Sequence, residues 1–207
     1  MDRKRVKLKV CGMKYPENIA EVWAIKPDYM GFIFYEASKR YIDALAPELV
    51  KGLDGVKKVG VFVNASLEQV QAAVEAYGLD LVQLHGAEDV AFAAAVGAMG
   101  VEVMKAFGIG EDFDWQLLAA YEPVVQYFLF DTKTAAHGGS GQTFDWSLLE
   151  NYRLQKPYFL SGGLSAENVK LALASEDPRL FAIDVNSKFE LRPGLKDVTL
   201  LKTIYGN

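Results

Sequence analysis

Apolar and polar positions along the chain change period in a regular rhythm. Residues 6–11 alternate strictly, with Lys7, Lys9 and Cys11 on one face and Val6, Leu8 and Val10 on the other. This is the two-residue period of a strand, here turning at Gly12. Residues 17–25 then repeat at helical spacing behind Pro16, a residue suited to a first helical turn. An apolar strand at 29–34, a polar loop at 35–41 and a short helix at 44–51 follow. Next come a strand at 56–63, a cap at Asn64-Ala65-Ser66 and a helix at 67–77 that Gly78 stops. Strand 79–84 ends in His85-Gly86 and leads to an alanine-rich helix at 88–99 closed by Gly100. Strand 101–107 is followed by helix 113–121. Strand 126–131 is followed by a loop rich in Gly, Ser, Thr and Ala at 132–143 and a short helix within 144–152. The seventh strand, 157–160, runs into Ser161-Gly162-Gly163 and then a helix for which Ser165 is the expected N-cap and Glu167 a first-turn acid. A last strand at 180–185 and a closing helix at 194–204 complete the chain.

Strand and helix thus alternate eight times, which specifies an α/β fold. The strands are nearly continuous in apolar residues, as in a parallel sheet covered on both faces. Eight such units favour closure into a (β/α)8 TIM barrel over an open doubly wound sheet. No linker or shift of composition marks a second domain, so residues 1–207 read as one barrel domain, near the lower size limit of that fold. Composition adds little: 51% hydrophobic and 24% charged residues are ordinary for a soluble globular protein. A net charge of −5 argues against a nucleic-acid-binding surface, and the basic cluster Arg3-Lys4-Arg5 reads as a solvated tail. No apolar run approaches a membrane span, and Lys7 and Lys9 interrupt the place where a signal peptide needs its apolar stretch. A cytoplasmic protein is expected, as a monomer or homodimer. The single cysteine, Cys11, leaves no internal disulfide.

In a barrel the chemistry stands at the C-terminal ends of the strands. Two histidines, His85 and His137, form no spaced ligand pair, so no metal site is expected. Gly108-Ile109-Gly110 lacks the third glycine of a dinucleotide fingerprint, since Phe113 stands there, and reads as a tight turn. Gly162-Gly163 and the end of the last strand, Asp184-Val185-Asn186-Ser187, fall where such barrels bind phosphate. Cys11 is either a buried, inert thiol or a base whose thiolate is favoured by Lys9, about 6–7 Å away on the same face. Lys9 is itself a candidate partner for Asp184 across a closed barrel. Asp131 either caps its loop or, in apolar surroundings that raise its pKa, serves as a general acid. Arg40 is a surface charge or a bidentate clamp on a carboxylate.

Lys9-Val10-Cys11-Gly12, Ser38-Lys39-Arg40-Tyr41, Val82-Gln83-Leu84-His85-Gly86, Leu129-Phe130-Asp131, the run from Gly138 to Trp146, Leu160-Ser161-Gly162-Gly163-Leu164 and Asp184-Val185-Asn186-Ser187 stand in one order. As an ordered set they resemble the phosphoribosylanthranilate isomerase family of tryptophan biosynthesis, over nearly the whole chain. The resemblance implies a barrel that performs an Amadori rearrangement without metal or cofactor. It implies Asp131 as general acid, Cys11 as general base and Arg40 as the holder of the anthranilate carboxylate. Gln83, His85 and Asp184 would line the substrate pocket, and Gly162, Gly163, Asn186 and Ser187 would bind the phosphate. One departure stands out: the family's Asp-Val-Ser-Ser-Gly-Val-Glu is here Asp184-Val185-Asn186-Ser187-Lys188-Phe189-Glu190. Lys188 would be strained if its φ were positive. Another phosphosugar isomerase remains an alternative, although the histidine-pathway enzyme relies on an aspartate where Cys11 stands. So does a barrel that binds phosphosugars without catalysis.

Overall fold

The structure is a computed structural model and describes residues 5–133 and 144–205. Most of the loop expected at 132–143, with His137 and the run Gly138 to Thr143, lies outside the described residues. Eight parallel strands close into a barrel in chain order: β1 (Lys7–Cys11), β2 (Tyr29–Ile33), β3 (Lys57–Phe62), β4 (Leu81–Leu84), β5 (Glu102–Ile109), β6 (Tyr127–Thr132), β7 (Tyr158–Leu160) and β8 (Leu180–Val185). β1 pairs with β8 in register Lys9↔Asp184. Among the described residues no helix is long and apolar enough to cross a membrane.

The two-residue period of β1 sorts its side chains between two cores. Leu8 and Val10 join the large apolar cluster between strands and helices. Cys11 packs on the other side with Ile33 and Val61. Beneath that cluster Tyr29, Val59, Leu81, Met104, Leu129, Phe159 and Ala182 fill the barrel, so its mouth has a solid floor. Phe159 is the hub of that floor, with ring centroids 5.2 Å from Tyr29, 5.3 Å from Tyr127 and 5.6 Å from Phe181. We expect Phe159→Ala to lower stability by about 3–5 kcal/mol, because the ring is fully buried and its removal leaves a cavity among three aromatic neighbours. Urea unfolding measures this, and a loss below about 1 kcal/mol would mean the floor repacks.

Helices cover the strands: α1 (Pro16–Ala24), α2 (Pro47–Lys51), α3 (Leu67–Tyr77), α4 (Val90–Gly97), α5 (Leu118–Tyr121), α6 (Val169–Leu173) and α7 (Val198–Lys202). α3 has the expected bounds because both ends are written locally. Ser66 and Gln69 form a capping box, and Gly78 takes φ +60°. Elsewhere the structure corrects the pattern. The helix expected at 113–121 is a 3-10 turn, Trp115–Leu117, before α5, and the one within 144–152 is wholly 3-10, Trp146–Asn151. In both cases an aspartate, Asp114 or Asp145, accepts the N–H two residues on. The caps of α3, α4 and α7 bond three residues on instead. The shorter reach closes the tighter turn.

Two further corrections bear on the mouth. The helix after Gly162-Gly163 starts at Val169 with Asn168 as N-cap, not at Ser165. Asn168 accepts the N–H of Ser165 at 2.8 Å and donates to Gly163 O at 3.1 Å, so a side-chain-closed turn takes the place of the first helical turn. Ser165 Oγ takes the Glu167 N–H at 3.3 Å. The closing helix expected at 194–204 instead begins as an antiparallel hairpin, β9 (Glu190–Arg192) with β10 (Leu195–Lys196), and only then continues as α7. The hairpin turns at Gly194, whose φ is +83°.

Candidate active site

Lys9 and Asp184 lie side by side on β1 and β8 at the base of the mouth, Nζ to Oδ2 2.7 Å, with side chains 0% and 5% exposed. Burial alone would push the Lys9 ammonium down, but Asp184 and Cys11 outweigh it and hold it above its usual range. Burial pushes the Asp184 carboxyl up against the pull of Lys9. Cys11 follows one turn of the pleat above Lys9 and is buried. Lys9 does favour the thiolate, as does Lys196, but desolvation is larger and leaves the thiol above its usual range. Both a buried thiol and a same-face lysine were readable from the pattern, but not which of the two effects is larger.

Asp131 ends β6 in the same mouth. Its setting is polar rather than apolar: Oδ1 accepts the Thr132 N–H at 2.8 Å, and Oδ2 faces His85 Nε2 at 3.5 Å. His85 Nδ1 meets Gln83 Nε2 at 2.8 Å. With Nδ1 accepting, the ring proton sits on Nε2, which stands 3.5 Å from the carboxylate. Gln83, His85 and Asp131 therefore form one line of hydrogen-bonding groups from β4 to β6. Two buried acceptors in this region, Gln83 Oε1 and Asp184 Oδ1, have no hydrogen-bond partner among the described residues. Gly162 takes φ +85° and Gly163 φ +65°. A Cβ on Gly162 would stand 3.0 Å from Asp131 Oδ1 and 2.6 Å from Thr132 N. Only glycine lets this loop lie against the carboxylate.

Arg40, in the loop after β2, is not free. Its Nε and Nη2 donate to both oxygens of Glu190 on β9 at 2.7–3.1 Å. Burial would raise the Glu190 carboxyl, but Arg40 and Lys196 hold it below the usual range. Lys196, on β10, donates from Nζ to Glu190 Oε1 at 2.6 Å and to Asn186 Oδ1 at 2.7 Å. Ser187 opens a 3-10 turn, Ser187–Phe189, directly after Asn186. Lys188 lies within this turn with no positive φ, so the departure from the family's glycine costs no backbone strain. Among the described residues no group of three or more His, Cys, Asp or Glu stands together as a metal site.

Residues 8–207 match the family model described as N-(5'phosphoribosyl)anthranilate (PRA) isomerase. The chain belongs to the phosphoribosylanthranilate isomerase family. A relative named N-(5'-phosphoribosyl)anthranilate isomerase, from Parabacteroides distasonis, is 44% identical over 199 residues, 94% of this chain and 90% of that one. Among solved structures, the phosphoribosyl anthranilate isomerase of Thermotoga maritima superposes with a TM-score of 0.82 at 36% identity, covering 98% of both chains. A phosphoribosyl anthranilate isomerase in complex with reduced 1-(o-carboxyphenylamino)-1-deoxyribulose 5-phosphate superposes with a TM-score of 0.79 at 33% identity, covering 98% of this chain and 97% of that one.

The residues that the resemblance pointed to, Cys11, Arg40, Gln83, His85, Asp131, Gly162, Gly163, Asp184, Asn186 and Ser187, all stand at the C-terminal ends of the barrel strands or in the loops just beyond. Glu190 and Lys196 were missed. The signal for them was short: Pro193-Gly194 between two pairs of strand-compatible residues is a hairpin turn in miniature. Glu88 and Lys105 were also missed. They form a buried ion pair of 2.9 Å that braces the loop carrying His85, with Glu88 accepting the N–H groups of Asn64 and Gly86.

Proposed function

We propose that this chain catalyses the Amadori rearrangement of N-(5'-phosphoribosyl)anthranilate to 1-(2-carboxyphenylamino)-1-deoxyribulose 5-phosphate in tryptophan biosynthesis. The observation that carries this reading is the placement of Cys11 and Asp131 at the ends of β1 and β6, inside one polar mouth above a packed floor. Asp131 gives a proton to the furanose oxygen, and the ring opens to a protonated Schiff base. The Cys11 thiolate then removes the C2′ proton, which yields an enolamine that tautomerises to the ketone. His85 donates to the carboxylate left on Asp131. The unpartnered oxygens of Gln83 and Asp184 accept hydrogen bonds from ribose hydroxyls. Gly162, Gly163, Asn186 and Ser187 take the phosphate, on adjacent strand ends. Arg40 meets the anthranilate carboxylate with its Nη1 edge, since among the described residues its side-chain bonds run from Nε and Nη2.

The test is a steady-state assay with freshly prepared N-(5'-phosphoribosyl)anthranilate, followed by loss of anthranilate fluorescence. Turnover supports the reading. Activity only on the Amadori substrate of histidine biosynthesis would overturn it. The pH profile adds a second check. A base must be deprotonated, and burial holds the Cys11 thiol up, so kcat at saturating substrate is expected to rise with pH toward or beyond the ordinary thiol value of about 8.5. An acid limb near about 6 would assign the base to another group.

A further inference from the structure

We propose that Lys196 is a positioning residue for the anion-binding rim: it fixes Asn186 and Glu190, and through Glu190 the guanidinium of Arg40, where the substrate's phosphate and carboxylate are received. The inference rests on reading this rim as the substrate's anion site. Lys196 touches no substrate, because its side chain is 0% exposed. A lysine enclosed in this way is costly unless its charge is used and paired. Its Nζ joins two functional loops at once, through Asn186 at the end of β8 and Glu190 on β9. Glu190 in turn clamps Arg40 and accepts the Gly194 N–H at 3.0 Å.

The unit is seated directly beside the proposed base. A Cβ on Gly12 would stand 2.6 Å from Arg40 Cδ and 2.8 Å from Asn186 Oδ1. Glycine after Cys11 is what lets both side chains lie there, with φ +77°. The main chain of Lys196 is held from the opposite side by Asn18 of α1, which accepts its N–H at 2.7 Å and donates to its carbonyl at 3.0 Å. The anchor therefore runs from a covering helix, through the hairpin, to the rim.

Charge gives the same answer. Arg40 and Lys196 are positive and Glu190 is negative, so the unit carries one surplus positive charge toward a substrate with two anionic groups, a carboxylate and a phosphate. The groups that face Lys196 are Glu190 from β9, Arg40 from the loop after β2, Cys11 from β1 and the neutral Asn186. Burial outweighs Glu190 and brings the ammonium down to about 8. The surplus charge is thus present below that pH and is lost as pH rises through it.

The test uses reduced 1-(o-carboxyphenylamino)-1-deoxyribulose 5-phosphate as the probe and calorimetric titration as the readout, from about pH 7 to about pH 9.5. Wild type is expected to bind about fivefold more weakly at about pH 9 than at about pH 7. Lys196→Met should bind about tenfold more weakly at about pH 7, with no further fall in this window. Lys196→Arg, charged throughout, should bind tightly and independently of pH. The inference is overturned if Lys196→Met binds like wild type, or if Lys196→Arg retains the fall near pH 8. Should the Met variant not fold, the Arg variant decides alone. Failure of wild type to bind the probe at any pH would remove the substrate reading, and this one with it.

Discussion

Cys11→Ala is expected to reduce kcat by about three orders of magnitude or more while the reduced product analogue still binds within about threefold of wild type. The substitution removes the only group on β1 able to accept the C2′ proton. Lys9 beneath it is protonated and paired to Asp184 at 2.7 Å, so it has no free base to offer. Binding should survive because the anion contacts come from other elements, namely Arg40, the Gly162-Gly163 loop and the start of the Ser187–Phe189 turn. The fold should survive as well, since Cys11 packs only in the small cluster with Ile33 and Val61, away from the main core. Single-turnover and steady-state rates, with calorimetry for binding, decide the matter. A kcat within tenfold of wild type would show that proton abstraction uses another base.

Asp131→Asn is the second large effect, with a loss of about two to four orders of magnitude in kcat and little change in KM. The amide oxygen still accepts the Thr132 N–H, and the side chain still fits beside Gly162, so the loop between β6 and β7 keeps its shape. What disappears is the proton for the ring oxygen. The amide leaves His85 facing a neutral group, and that histidine does not replace the acid because its Nε2 faces Asp131. A variant that opens the ring at the normal rate would transfer the acid role to His85. Glu in place of Asp tests placement instead: it retains the proton but must displace the backbone of Gly162 or Thr132.

The barrel was readable from the chain because each strand states its own period. Lys7, Lys9 and Cys11 share a face in the sequence, and in the structure Lys9 and Cys11 are buried on the inner side while Leu8 and Val10 join the outer core. Even the Lys9–Asp184 pair follows, once the first and last strands are made neighbours. Helices were readable only where their caps are unambiguous, as at Ser66 and Gly78. Asp114 and Asp89 look alike in sequence, yet one bonds two residues on and starts a 3-10 turn while the other bonds three residues on and starts an α-helix. The local letters do not state that difference; in the structure the 3-10 turn sets Trp115 against Phe130 at 5.7 Å.

The site divided along the same line. Residue types at strand ends were visible, but their partners were not. Arg40 reads as a free clamp until Glu190, 150 positions later, is folded onto it. Lys196 falls within the closing helix expected at 194–204, and nothing local states that its ammonium is enclosed. The balance at the Cys11 thiol, left open between burial and the pull of Lys9, was decided by burial for the same reason. A neighbour's charge can be counted from spacing, but desolvation belongs to the completed fold.

Lys9 and Asp184 are separated by 175 positions and meet where the two ends of the sheet are sewn together. Until β8 docks, the ammonium below the reactive sulfur has no counter-ion and no dry surroundings. A barrel lacking β8 would therefore lack the buried ion pair beneath Cys11, together with Asn186 and the hairpin that follow that strand.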